Sequence, residues 1–192
     1  MNTSTNQNQD TRVCFLTGAS KRLGACTAKK FHAEGFNVII HYNSSKSEAD
    51  SLVAQLNANR ADSAFCLQAD LTDHEQVQSL ARLAFDCFQR VDILINNASA
   101  FYTTPLAECD HKAWDDLFDS NLRAGFFLAQ QLAPELEQRA GAIVNMTDTH
   151  ADNPLKGFPI YSLAKAGVKA MTKSLAKELA PRVRVNGVSP GA

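Results

Sequence analysis

Thr17-Gly18-Ala19-Ser20-Lys21-Arg22-Leu23-Gly24 is the stretch on which the fold of this chain turns. Its first residue closes Val13-Cys14-Phe15-Leu16-Thr17, a short run with the character of a buried strand. A helical pattern over residues 23–34 comes next, and Gly35 stops it. Such a turn needs glycine where the backbone bends tightly and where a charged group must approach it closely. The helix behind it offers unpaired N–H groups and the positive end of its dipole, which together suit a pyrophosphate. Two glycines alone would equally describe an ordinary strand–helix turn; their place directly after the first strand favours the phosphate reading.

Outward from this turn, apolar bursts alternate with helical patterns to the end of the chain. Strands are expected over residues 36–42, 63–68, 91–96, 142–146 and 183–188. Between them lie helices over 48–59, from the cap Asp73 to about 89, over 112–138 with Pro134 as the candidate break, and over 160–179. Strands without polar alternation, separated by helices, belong in a parallel sheet covered on both faces. Right-handed crossovers then favour an α/β, Rossmann-type doubly wound sheet with strand order 3-2-1-4-5-6. Residues 12–192 read as one domain, and 1–11, rich in Asn, Gln and Thr, as a disordered polar tail.

The composition removes several function classes. A net charge of −1 provides no basic patch for nucleic acid or an anionic membrane surface. No apolar run reaches membrane-spanning length. Five scattered cysteines, Cys14, Cys26, Cys66, Cys87 and Cys109, read as reduced, mostly buried thiols of a cytoplasmic protein rather than a disulfide framework or zinc site. His150 near Asp148 has no third partner in view, so a metal pair is set aside. Asp115, Asp116 and Asp119 read as a solvated helix face or interface rim, and Leu117, Phe118, Phe126, Phe127 and Leu128 as core and subunit-contact positions.

The second strand ends in His41-Tyr42-Asn43-Ser44-Ser45-Lys46, with no acidic residue at its tip. An Asp or Glu there would hold the ribose 2′-hydroxyl of NAD and repel a 2′-phosphate. Its absence, with two hydroxyls and Lys46 nearby, favours NADP(H). Arg22 could reach phosphate oxygens or a substrate edge, or simply be a solvated arginine at a helix start. At the other end of the chain, Tyr161-Ser162-Leu163-Ala164-Lys165 puts a phenol and an amine one turn apart on one helix face. A tyrosine at its reference pKa of about 10 is a sluggish acid at pH 7; a neighbouring ammonium and a cationic nicotinamide can supply the ~4 kcal/mol needed to change that.

With these pieces in order, the chain resembles the short-chain dehydrogenase/reductase family from Arg12 onward. The matching residues are Thr17-Gly18 with Gly24, Asp70-Leu71, Asn96-Asn97-Ala98, Asn121, Tyr161 with Lys165, and Arg184-Val185-Asn186-Gly187-Val188-Ser189-Pro190-Gly191. The resemblance implies that Tyr161 donates a proton, that Lys165 lowers its pKa and holds the nicotinamide ribose, and that Asn121 supports a relay water. It implies that Asp70 and Leu71 bracket the adenine. Along the dinucleotide it places Gly18, Arg22, Leu23 and Gly24, then Tyr42, Asn43, Ser44 and Ser45, then Asn97, Ala98, Ser99 and Met146, and finally Pro190 and Gly191.

One departure bears on the substrate. Thirteen positions before the tyrosine, where the family usually has a serine that donates to a substrate carbonyl, this chain has Asp148. A carboxylate cannot donate to a carbonyl unless protonated; it suits a substrate that presents N–H groups and takes up protons on ring nitrogen. The pteridine reductase branch shows that exchange, and the chain is similar to it at Lys21-Arg22-Leu23-Gly24, His41-Tyr42, Asn97-Ala98-Ser99-Ala100-Phe101-Tyr102 and Pro154-Leu155-Lys156-Gly157-Phe158. That resemblance implies that Phe101 stacks a flat pterin against the nicotinamide, while Ser99 and Arg22 contact ring and phosphate. The branch carries a basic residue near Ser44, which this chain lacks.

The expected activity is therefore NADPH-dependent reduction of a dihydropteridine or dihydrofolate, in a homo-oligomer that family analogy makes a tetramer. A general carbonyl reductase of the 3-oxoacyl-carrier type and a non-catalytic NADP(H)-binding protein are the alternatives. The family continues beyond the sixth strand with a mobile segment and a further parallel strand, so the expectation is of a shortened form whose sixth strand, with Val183, Val185 and Val188, is an unpaired edge.

Overall fold

The structure, a computed structural model, describes residues 10–190. The six strands are β1 (Val13–Leu16), β2 (Asn37–Tyr42), β3 (Ala64–Gln68), β4 (Ile93–Asn96), β5 (Ala142–Met146) and β6 (Arg184–Val188). The helices are α1 (Arg22–Ala33), α2 (Lys46–Asn59), α3 (His74–Phe88), α4 (His111–Phe118), α5 (Ala124–Gln138) and α6 (Pro159–Glu178). All strands pair in parallel, in the order β3-β2-β1-β4-β5-β6. This is the doubly wound Rossmann-type sheet expected from the alternating pattern, and element ends agree with the sequence reading to within two residues.

Period-two alternation explains why β1 is apolar throughout. Val13 and Phe15 join a core formed with α3, α5 and α6, whereas Cys14 and Leu16 join a second core with α1 and α2. All four are fully buried. The strand order reverses between β1 and β4, so the carboxyl ends of these two strands diverge and open a crevice there.

Three expectations need correction. Pro134 lies inside α5 without ending it; Pro134 and Gln130, whose carbonyl loses its helical donor, are both exposed, so water can take that carbonyl. The long helix is interrupted instead at Asp119–Arg123, a π turn. Of the cysteines only Cys14, at the centre of the sheet, is buried; Cys26 on α1 is exposed and the other three are partly so. β6 lies at one edge of the sheet, as expected; Val185 on it and Val183 just before it are buried, and Val188 is exposed.

The polar tail falls mostly outside the described residues, as does Gly191. Among the described residues no helix is long and apolar enough to cross a membrane, and no cluster of three or more potential metal ligands occurs.

Candidate active site

The glycine turn is built by its own backbone and braced from β4. Gly18 has φ +59, a left-handed conformation that favours glycine, and a Cβ there would stand 2.8 Å from the Ala98 Cα. Thr17 Oγ1 accepts the N–H groups of Asn97 and Ala98, both at 3.0 Å. The Asn97 amide donates in turn to the Thr17 and Gly18 carbonyls, both at 2.9 Å. Asn97 and Ala98 therefore act on the turn itself.

Arg22 holds φ +48, an uncommon conformation for a residue with a side chain. No side chain caps the N-terminus of α1, and no acidic residue lies in its first turn. The free N–H groups there open on a cleft of about 410 Å³ lined by Gly18, Ser20–Gly24, Tyr42–Ser45 and Asn97.

That lining contains Lys21 and Arg22 and no carboxylate. Lys46 turns away to pair with Asp50 at 2.8 Å, so it adds less to the cleft than its position in sequence suggested. Lys21, which the sequence reading did not single out, pairs with Glu48 at 2.7 Å across the gap between α1 and α2. A lysine inside a glycine turn was the available signal. Asp70 organises the β3–α3 turn, its Oδ1 accepting from the N–H and hydroxyl of Thr72 at 2.9 and 2.8 Å. Leu71 beside it is buried.

At the carboxyl end of β5 the chemistry-bearing side chains converge. Tyr161, near the start of α6, donates its hydroxyl proton to Asp148 across 2.5 Å. Asp148 also accepts the His150 N–H at 2.9 Å and the Thr149 hydroxyl at 3.3 Å, capping the short turn that follows β5. Burial alone would push the Asp148 carboxyl up; the hydrogen bonds from His150 and Tyr161 outweigh it and hold the group below the usual carboxylate range. Burial, and after it the Asp148 carboxylate, push the Tyr161 phenol well above its ordinary value, against a smaller opposing effect of the Ser99 hydroxyl. This is opposite to the direction expected from the Tyr–Lys spacing alone.

Lys165 donates to the Met146 carbonyl at 3.1 Å, and its Nζ lies 5.7 Å from the Tyr161 ring centroid. Burial lowers its pKa to about 8, despite the opposing charge of Asp148.

Asn121 sits in the π turn. Its amide donates to the Ala100 and Leu117 carbonyls at 3.0 and 2.9 Å, and its Oδ1 accepts the Ser99 hydroxyl at 2.6 Å. With both amide protons engaged, the side chain ties the β4 exit loop to the helix. The Phe101 ring stacks on Phe158, with centroids 4.6 Å apart and planes 7° from parallel, and meets Tyr161 edge-on at 4.7 Å. Phe101 remains 54% exposed, so part of its surface is open to a flat partner. From the sequence Phe158 has no assigned site role; an aromatic three residues before the tyrosine, in the Pro154-Leu155-Lys156-Gly157-Phe158 stretch, is the signal that points to it. Arg22 lines the cleft at the start of α1, and Ser189-Pro190 follow β6 on the surface.

The short chain dehydrogenase family model matches residues 12–192. The chain is 38% identical to pteridine reductase 1 of Leishmania tarentolae, with 93% of the chain and 75% of that relative covered. It is 36% identical to the 3-oxoacyl-[acyl-carrier-protein] reductase FabG of Staphylococcus aureus, over 94% of the chain and 74% of the relative. To the 3-oxoacyl-[acyl-carrier-protein] reductase of Synechocystis it is 38% identical, over 94% and 73%. With the parallel sheet, the braced glycine turn and the Tyr161/Lys165 helix all in place, the chain belongs to the short-chain dehydrogenase/reductase family of oxidoreductases.

Proposed function

We propose that this oxidoreductase uses NADPH to reduce a dihydropteridine or dihydrofolate to its tetrahydro form. The observation that carries the reading is the Asp148 carboxylate, 2.5 Å from the Tyr161 hydroxyl and held anionic by its hydrogen bonds. An anion accepts N–H donors and repels the lone pairs of a ketone. A reduced pteridine offers ring and amino N–H groups along one edge, and its flat bicycle matches the exposed part of Phe101. Pteridine reductase 1 among the relatives supports the same reading.

The cleft fits NADP(H). Uncapped N–H groups at the start of α1, two basic side chains, the Ser44 and Ser45 hydroxyls and no lining carboxylate suit a dinucleotide carrying an extra phosphate. In this proposal Gly18, Arg22, Leu23 and Gly24 hold the pyrophosphate, and Tyr42 to Ser45 the phosphorylated ribose. Asp70 and Leu71 bracket the adenine; Asn97, Ala98, Ser99, Met146, Lys165 and Pro190 line the nicotinamide end. When bound, NADPH would supply a hydride to a carbon of the substrate's pyrazine ring.

The chain's own residues then manage the proton. Tyr161 carries it; Asp148 takes an N–H of the heterocycle in exchange for the phenol; the Lys165 ammonium stabilises the phenolate left behind. Residues 12–192 form the one domain of this reading. We assign it to the cytoplasm, and to a homotetramer that would cover Trp114, Phe126 and Phe127, which are exposed on α4 and α5.

The Lys165 ammonium is complete below a pH of about 8 and is lost as pH rises through that value. The kcat/KM is therefore expected to be level around neutrality and to fall above about pH 8. A pH–rate profile that stays level to about pH 10, the ordinary lysine value, would remove Lys165 from the proton path.

The substrate class is tested by NADPH oxidation with dihydrobiopterin, dihydrofolate and an acetoacetyl thioester. Turnover of the heterocycles is expected. Turnover of the thioester alone would replace this reading with 3-oxoacyl reduction, the second reading, which the Staphylococcus and Synechocystis relatives favour.

A further inference from the structure

One buried imidazole links the glycine turn to the β3–α3 turn. His41, on β2, is 1% exposed. Its Nδ1 accepts the Gly18 N–H at 3.1 Å, and its Nε2 lies 3.0 Å from the Ala69 carbonyl. Gly18 can only donate and the carbonyl only accept, so Nδ1 holds a lone pair and Nε2 the proton. Burial lowers the pKa of the ring, against weaker opposing effects of the Ala69 bond and the Asp70 charge, and so keeps it in this neutral form. Both nitrogens are engaged, which leaves no proton for chemistry. A core histidine that merely satisfies itself would look the same, except for what this one grips.

Gly18 is a left-handed residue at the head of the glycine turn, already braced from the other side by Asn97. Ala69 directly precedes Asp70 and Leu71 in the β3–α3 turn. The backbone of the same strand repeats both links: the Ala19 N–H donates to the His41 carbonyl at 2.9 Å, and the Ala69 N–H to the Tyr42 carbonyl at 3.1 Å. We propose that His41 is a positioning residue for NADP(H), holding the pyrophosphate turn and the adenine-side turn at their working spacing. The inference rests on the reading of this cleft as an NADP(H) site. It also means that the Gly18 N–H is spent on the imidazole, so phosphate oxygens are met by N–H groups further along the turn.

Two nearly isosteric variants separate the two contacts. An asparagine Oδ1 can stand where Nδ1 is, and a glutamine Nε2 where the histidine Nε2 is. His41→Asn therefore keeps the Gly18 contact and His41→Gln keeps the Ala69 contact.

Dissociation constants are measured for NADPH and for adenosine 2′-phosphate, which reaches only the adenine side. His41→Asn is expected to bind both probes about tenfold more weakly, the equivalent of one hydrogen bond. His41→Gln is expected to lose about tenfold for NADPH alone. Wild-type affinity in both variants, or an equal loss of both probes in both, would overturn the assignment in favour of a simple packing role.

The wild-type chain gives an independent readout that survives a variant failing to fold. Nitrogen-15 NMR should find His41 protonated at Nε2, with its ring nitrogens and the Gly18 amide shifting on addition of NADPH. A charged ring, an Nδ1–H tautomer or no shift in the presence of bound NADPH would overturn it. A wild-type chain that binds neither probe overturns the cofactor reading itself, and this inference with it.

Discussion

Asp148→Ser is expected to lower kcat/KM for dihydrobiopterin by about two to three orders of magnitude, the usual scale for losing a positioned acid–base partner. NADPH affinity should stay close to that of the wild type, because Asp148 does not line the cleft at the start of α1. The fold should survive the change. Asp148 caps the short turn after β5 through the His150 N–H, and serine is an equally good cap, so the cost from that contact is a few tenths of a kcal/mol.

What serine cannot supply is the charge. A neutral hydroxyl facing Tyr161 no longer attracts the N–H edge of a heterocycle, but it can donate to a carbonyl. The same variant is thus expected to gain on an acetoacetyl thioester while it loses on the pteridine. The ratio of the two kcat/KM values, compared with the wild type, is the measurement. An unchanged ratio would falsify the role of Asp148 in substrate choice.

Tyr161→Phe is predicted to lower turnover by about three to four orders of magnitude, since it deletes the phenol proton that Asp148 holds in the site. It has a second, separable signature in stability. The Tyr161 hydroxyl is among the groups that depress the Asp148 pKa, so the phenol stabilises the folded chain where the carboxylate is ionised. That contribution is present above the pKa of an unfolded aspartate, about 4, and is lost as pH falls through the lower folded value. A hydrogen bond to a charged group contributes about 1.5–3 kcal/mol, and the difference between wild type and Tyr161→Phe in denaturant unfolding should be on that scale at neutral pH. It should shrink as the solution is made more acid than about pH 4. A difference that does not change with pH would show that the 2.5 Å contact carries no charge.

The sheet was legible because each element announces itself within a short window. Val13 to Leu16 are apolar on both faces, Asp73 caps α3 through the Glu75 and Gln76 N–H groups, and Gly35 ends α1 with φ +90. The break in the long helix was misplaced for a physical reason. Proline is the local breaker, yet Pro134 sits where water can serve the freed carbonyl. The real interruption, at Asp119–Arg123, contains no breaker residue and coincides with Asn121 reaching the Ala100 and Leu117 carbonyls. A side chain that takes one carbonyl from its own preceding turn and another from a distant loop leaves no mark in helical periodicity. Lys46 was misjudged in the same way: its proximity to Ser44 and Ser45 in sequence says nothing of Asp50, one turn further on, which holds it.

By itself, the order of residues determined the alternating architecture, the glycine turn and the presence of a phenol and an amine one turn apart. Those features rest on interactions between neighbours in the chain, and the 2.0 and 3.6 residue periods report them directly. Only the tertiary structure decided that Tyr161 is held as a phenol rather than driven toward a phenolate, because the deciding groups come from different elements. Asp148 reaches it from the end of β5, Lys165 turns to the Met146 carbonyl, and burial by the packed sheet and α6 sets the sign for both. The bridge from His41 to Gly18 and Ala69 belongs with these, since it exists only when three parallel strands are in register and their carboxyl ends meet.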